Sequence, residues 1–132
     1  MKQEWKDKWV AALRSGEYKQ GIGHLQTKDG GFCCLGVLCD VVHKELGIGE
    51  WEDQSDRNTF SDQPRAIFVV DSERTSGQIP EKIREIVSMH SNNGLYELDE
   101  TYEKRTLWRD NDRNGKTFNE IADIIEKHWE EL

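Results

Sequence analysis

The chain has 132 residues, the size of one domain, and its 26 acidic and 18 basic side chains give a formal charge of −8 that repels nucleic-acid duplexes and anionic membranes; no segregated basic patch offsets it. Only 35% of the residues are apolar, but five Trp, four Phe and three Tyr are bulky enough to fill a core, which excludes a disordered chain. The opening MKQEWKDKWV is charged and amphipathic, and no stretch approaches the ~20 apolar residues of a membrane span, so a cytoplasmic protein is expected.

Residues 3–15 read as a helix, because Trp5, Trp9, Ala12 and Leu13 recur at helical spacing and Gly16 then stops it. In residues 17–32 paired glycines and a KDGG turn bracket short extended pieces at 18–20 and 24–27, the pattern of a small hairpin. A second helix spans 33–46 and ends at Gly47. The polar stretch 47–65 reads as an exposed loop anchored to the body by Trp51 and Phe60. AIFVV, residues 66–70, is β-branched and aromatic and predicts a strand. A third helix starts near Pro80, carries Ile83, Ile86 and Val87 inward to about Met89, and is ended by SNNG at 91–94. LYEL at 95–98 predicts a short strand and YEKRTLW at 102–108 an irregular helical turn. The last helix opens with Thr117 and Glu120 in capping-box spacing and keeps Phe118, Ile121, Ala122, Ile125, Trp129 and Leu132 on one face. With no repeat or linker, residues 1–132 form a single α+β domain: about four helices around a small antiparallel sheet, with a central, buried, cysteine-containing helix.

The cysteines carry the first chemical question. Three is an odd count, Cys33 and Cys34 are adjacent, and reduced thiols fit a cytosolic setting. On a helix turning about 100° per residue, Cys34 falls with Val37, Leu38 and Val41, and Cys39 with Leu35, Val42 and Leu46. Only Cys33, Gly36, Asp40, His43 and Lys44 are left for solvent, which makes Cys33 the thiol expected to be exposed. At a helix N-terminus its pKa would be lowered, as for the nucleophile of papain-like hydrolases, with Gln20 or Gln26 upstream and His90 or His24 as base. The competing reading is a partly buried small residue.

Metal readings are thinner. Cys39 and His43 share a helix face, but no CxxC pair exists and His24 would have to be recruited across the hairpin. Asp110, Asp112, Asn114 and Gly115 match the first half of a calcium loop; position twelve is then Ile121, with Glu120 one residue early, so a turn leading into the Thr117 cap competes with a cation site. No cofactor is implied. Gly21 and Gly23 lack the third glycine of a phosphate cradle and read as structural. Beside their closely approachable backbone, Tyr18, Gln20 and His24, with Cys33 and Asp40 from the helix, form the expected wall of a ligand site.

Two segments carry a resemblance: WVAALRSGEYKQGIGHLQTKDGGFCCLGVLCDVV at 9–42 and NDRNGKTFNEIADIIE at 111–126. They resemble a group of small proteins of tailed phages and bacterial genomes that share W-x-x-A-L-R-S-G-x-Y-x-Q-G-x-G-x-L, then C-C-L-G-V-L-C-D, then N-D-x-x-G-x-T/S-F-x-x-I-A. Residues 47–100 match little. The group has no assigned reaction, so the resemblance implies a setting: a phage accessory or host-interaction protein. The leading expectation is a small soluble protein that binds a host protein, through its acidic surface, or a small ligand, without catalysis, nucleic-acid contact or membrane contact. The alternatives are a Cys33-dependent hydrolase or transferase, and sequestration of a nucleotide-like signal near Arg14, Lys19 and Lys28.

Overall fold

The computed structural model describes residues 1–54 and 63–132. Phe60, expected to anchor the loop, lies outside the described residues. The fold is α+β. Among the described residues there are five helices and two antiparallel sheets.

The first helix, α1 (Gln3–Arg14), buries Trp5, Trp9, Val10 and Leu13 and packs on the last, α5 (Phe118–His128). In α5 the Thr117 side chain accepts from Glu120 N–H and Glu120 reciprocates to Thr117 N–H, the capping box anticipated above. Its Phe118, Ile121, Ala122 and Ile125 are buried, as is Leu132 beyond it.

The second helix, α2 (Cys34–Leu46), packs on α1 and, through Asp40 to Trp51 and His43 to Phe68, on the larger sheet, with an unbroken buried run from Cys34 to Val42. The Trp9 indole N–H donates to the Cys34 carbonyl at 2.9 Å and fixes the two helices together. Gly47, left-handed at φ +67°, closes the helix. Gly36 has a different role: a Cβ there would stand 1.9 Å from the Leu25 carbonyl oxygen, so only glycine lets the preceding loop lie on the helix.

The larger sheet is organised by β3 (Pro64–Val70), whose alternating burial puts Ala66, Phe68 and Val70 in the core. It pairs on one edge with β2 (Glu50–Asp53) and on the other with β1 (Gln26–Thr27) and β4 (Glu73–Thr75), all antiparallel. Two expectations are corrected here. Part of the polar stretch 47–65 is strand, because Glu50 to Asp53 find partners on β3 and Trp51 packs edge-on against Phe68. The pieces at 18–20 and 24–27 do not form a hairpin with each other: Gln20 and Gln26 both bridge to Phe32, and β1 joins β3.

The third helix, α3 (Glu81–Val87), follows Pro80 and buries Ile83 and Val87. Next, β5 (Leu95–Glu97) pairs with β6 (Lys104–Thr106), and the expected irregular turn at 102–108 resolves into β6 followed by a short helix, α4 (Leu107–Asp112), whose Thr106 side chain caps it by accepting from Arg109 N–H. No helix among the described residues is long and apolar enough to cross a membrane.

Candidate functional site

The loop from α1 to α2 lies over the start of α2, and this decides the chemistry of Cys33. Cys33 N–H donates to the Leu25 carbonyl at 3.3 Å, and the thiol accepts from Gly36 N–H at 3.4 Å. The sequence placed Cys33 on a solvent stripe; the structure leaves it 3% exposed, because the loop permitted by Gly36 covers it. Burial pushes its pKa up to about 12; the Gly36 N–H opposes the rise without cancelling it, and the Asp112 charge adds to it. Cys34 and Cys39 are fully buried, as the helix geometry predicted, and their thiols are driven upward by the same desolvation.

The residues cast as partners of Cys33 are held elsewhere. His90 is exposed just beyond α3, its backbone N–H donating to the Leu132 carbonyl, and no hydrogen bond among the described residues joins it to Cys33. The Gln20 amide donates to Asn111 Oδ1 at 2.9 Å and to the Lys116 carbonyl at 2.8 Å. His24 is half-buried in the loop.

Asn111 is the residue that sequence reasoning missed. It is 2% exposed and uses every arm of its amide. Its Oδ1 accepts from Gln20 and from Cys34 N–H (3.2 Å), while Nδ2 donates to the Gly21 carbonyl (2.9 Å) and Asp112 Oδ1 (2.8 Å). One side chain thus ties the loop, the first N–H of α2 and the end of α4 together. The local signal was Leu107, Asp110 and Asn111 at i, i+3 and i+4, one buried face of a short helix.

A second polar centre is Asp40, also expected at the surface and found 6% exposed. Tyr18 donates to it at 2.6 Å, the Trp51 indole at 3.0 Å, and Lys44 lies 3.0 Å away. Burial alone would raise this carboxyl, yet the donors outweigh it and its pKa falls below the usual value. Tyr18 responds in the opposite sense, its phenol pushed up to about 12 by burial and by Asp40. Tyr18, Phe32, Trp51 and Phe68 form a chain of edge-on ring contacts beside this carboxylate.

The three residues of the calcium reading are each engaged with protein partners. Asp110 is fully buried, accepting from the Tyr96 hydroxyl at 2.5 Å and from Asn114 at 2.8 Å, whereas Asp112 accepts from Asn111. His43 Nδ1 meets the Ile48 carbonyl at 3.2 Å, and Cys39 is fully buried. Among the described residues no three His, Cys, Asp or Glu side chains group to hold a metal ion.

The outer surface of the loop is still accessible. A shallow cleft of about 430 Å³ is lined by Gly21, Ile22, Thr27, Lys28 and Asp29, with Ile22 64% exposed at its rim. Asp29 is held well below the usual carboxylate range by Thr27, Lys19 and Gly31. Fold and site together define a small α+β protein in which Asn111 and Asp40 anchor two buried polar networks and the loop surface over the start of α2 is open to solvent. Residues 1–129 match the family described as a domain of unknown function (DUF8296), and the chain belongs to that family. No curated protein and no solved structure matches it.

Proposed function

We propose that this chain is a small phage-type accessory protein that acts in the host cytoplasm by binding a host protein or small ligand, with no catalysis of its own. The observation that carries the reading is the Asn111 clamp. It holds Gln20 and Gly21 in place, so the neighbouring Ile22 is presented to solvent on backbone that is already ordered. Preorganised contact surface loses less entropy on association, and an exposed aliphatic beside charged groups is the composition of a contact site. The resemblance to phage-borne proteins supports the setting. The net charge of −8 favours a protein or a small ligand over nucleic acid or an anionic membrane.

A Cys33-dependent hydrolase is the weaker reading, since its thiol is enclosed and its pKa stands near 12. Sequestration of a nucleotide-like signal is also less favoured, because Asp29 lines the cleft and pairs with Lys19 at 2.9 Å, leaving little net positive potential for phosphate. The test is photo-crosslinking from position 22 in host extract, followed by affinity measurement with the protein captured. Binding should survive Cys33→Ser and fall with Ile22→Asp. Retention by Ile22→Asp together with loss in Cys33→Ser would overturn the proposal.

A further inference from the structure

Away from the loop, three clefts share walls. The first, about 230 Å³, lies between the turn into β4 and the start of α3 and is edged by Asp71, Glu73, Glu81 and Glu85. Glu73 and Glu81 also wall the second, of about 720 Å³, whose lining includes the buried Ile79. Leu95 lies at the far end of the second and lines the third, of about 290 Å³, with Glu97, Lys104 and Glu131. Through these shared residues the three clefts adjoin in a row, and they are taken together as one groove. Six carboxylates line it against Lys82, Arg84 and Lys104, and Arg84 is partly spent on Glu81 (3.8 Å) and the His90 carbonyl (3.4 Å). Where the second and third clefts meet sits an apolar spot, Leu95, 41% exposed.

We propose that this groove seats an extended, cationic segment of a partner protein, with an apolar side chain of that segment on Leu95. The inference goes beyond the loop surface, since it assigns a second contact face and the chemistry of what covers it. Charge selects the occupant. A second copy of this chain would bring its own charge of −8 to an acidic wall, and a nucleic acid would bring phosphates; a lysine- or arginine-bearing segment brings the complement. Shape agrees, because a row of adjoining shallow clefts offers a small ligand little enclosure but gives successive side chains of an extended segment successive contacts.

The test is to pan a random displayed peptide library on the wild-type protein, then measure each selected peptide against the triple variant Glu73→Gln, Glu81→Gln, Glu97→Gln and against Leu95→Ala. The glutamine at 73 keeps the acceptor that Glu73 offers to the Glu81 N–H at 2.9 Å, so α3 retains its start, and circular dichroism checks the fold. Expected are cationic peptides that bind the triple variant about tenfold more weakly and shift backbone amide resonances between residues 71 and 97. Peptides that are neutral or acidic, that bind the triple variant undiminished, or that shift the 17–32 loop instead would overturn the groove, as would a failure to enrich any peptide. None of those results touches the position-22 crosslinking test, which decides the loop proposal separately.

Discussion

Replacing Asn111 by alanine removes one side chain and leaves several polar groups without partners. The Gln20 amide keeps the Lys116 carbonyl, so it is not orphaned. Cys34 N–H, in a fully buried residue at the head of α2, loses its side-chain acceptor, and the buried Gly21 carbonyl loses its donor. A buried polar group left unsatisfied costs about 1–3 kcal/mol, so two such groups give a destabilisation of roughly 4 kcal/mol, the middle of a range of about 2–6 kcal/mol. That is a large part of the ~5–15 kcal/mol of a typical domain but leaves Asn111→Ala folded. Urea unfolding followed by tryptophan fluorescence measures it, with an unchanged m-value expected because the same surface is exposed on unfolding. Amide hydrogen exchange should rise locally at Gly21, Phe32 and Cys34 before the rest of α2. A loss below about 1 kcal/mol, or uniform loss of protection across the chain, would refute the idea that Asn111 is the clamp holding the loop.

Gly36→Ala should be worse, costing at least about 3 kcal/mol or preventing soluble expression, because the new methyl meets the Leu25 carbonyl oxygen at 1.9 Å; a thermal midpoint near wild type would contradict the close approach. Asp40 carries a pH signature. Its folded pKa lies below the ordinary 3.8, so its contribution is complete above that value and is lost as pH falls through the depressed one. The stability gap between wild type and Asp40→Asn should therefore be flat from about pH 7 to pH 5 and shrink below about pH 4; a gap that widens in acid would be inconsistent with the donor set seen here. Ile22→Asp, at a residue 64% exposed, should change stability by no more than about 0.5 kcal/mol, and a larger loss in calorimetry would mean that Ile22 belongs to the core.

What the sequence revealed depended on how local the deciding contacts are. The α5 capping box lies within four residues, and the apolar faces of α1, α2 and α5 repeat at helical spacing, so these elements were legible. Cys34 and Cys39 could be assigned to the interior because their own helix determines it. Cys33 could not: its cover is the loop against Gly36, and helical periodicity says nothing about what another segment lays over a face. Asp40 and Asn111 were hidden for the same reason. Asp40 is buried by Tyr18, 22 residues earlier, and Trp51, 11 later, and Asn111 meets Gln20 91 residues away. The strand at 50–53 was read as loop because EWED is acidic and presents one aromatic; pairing with β3, not propensity, makes it a strand.

The most direct test of the account is the alkylation rate of each cysteine in the native protein near neutral pH, resolved by mass spectrometry. Cys33 should label no faster than global unfolding permits, together with Cys34 and Cys39, since all three thiols are enclosed and protonated. Rapid modification of Cys33 while the other two resist would contradict the closed loop and the proposal of a function without catalysis.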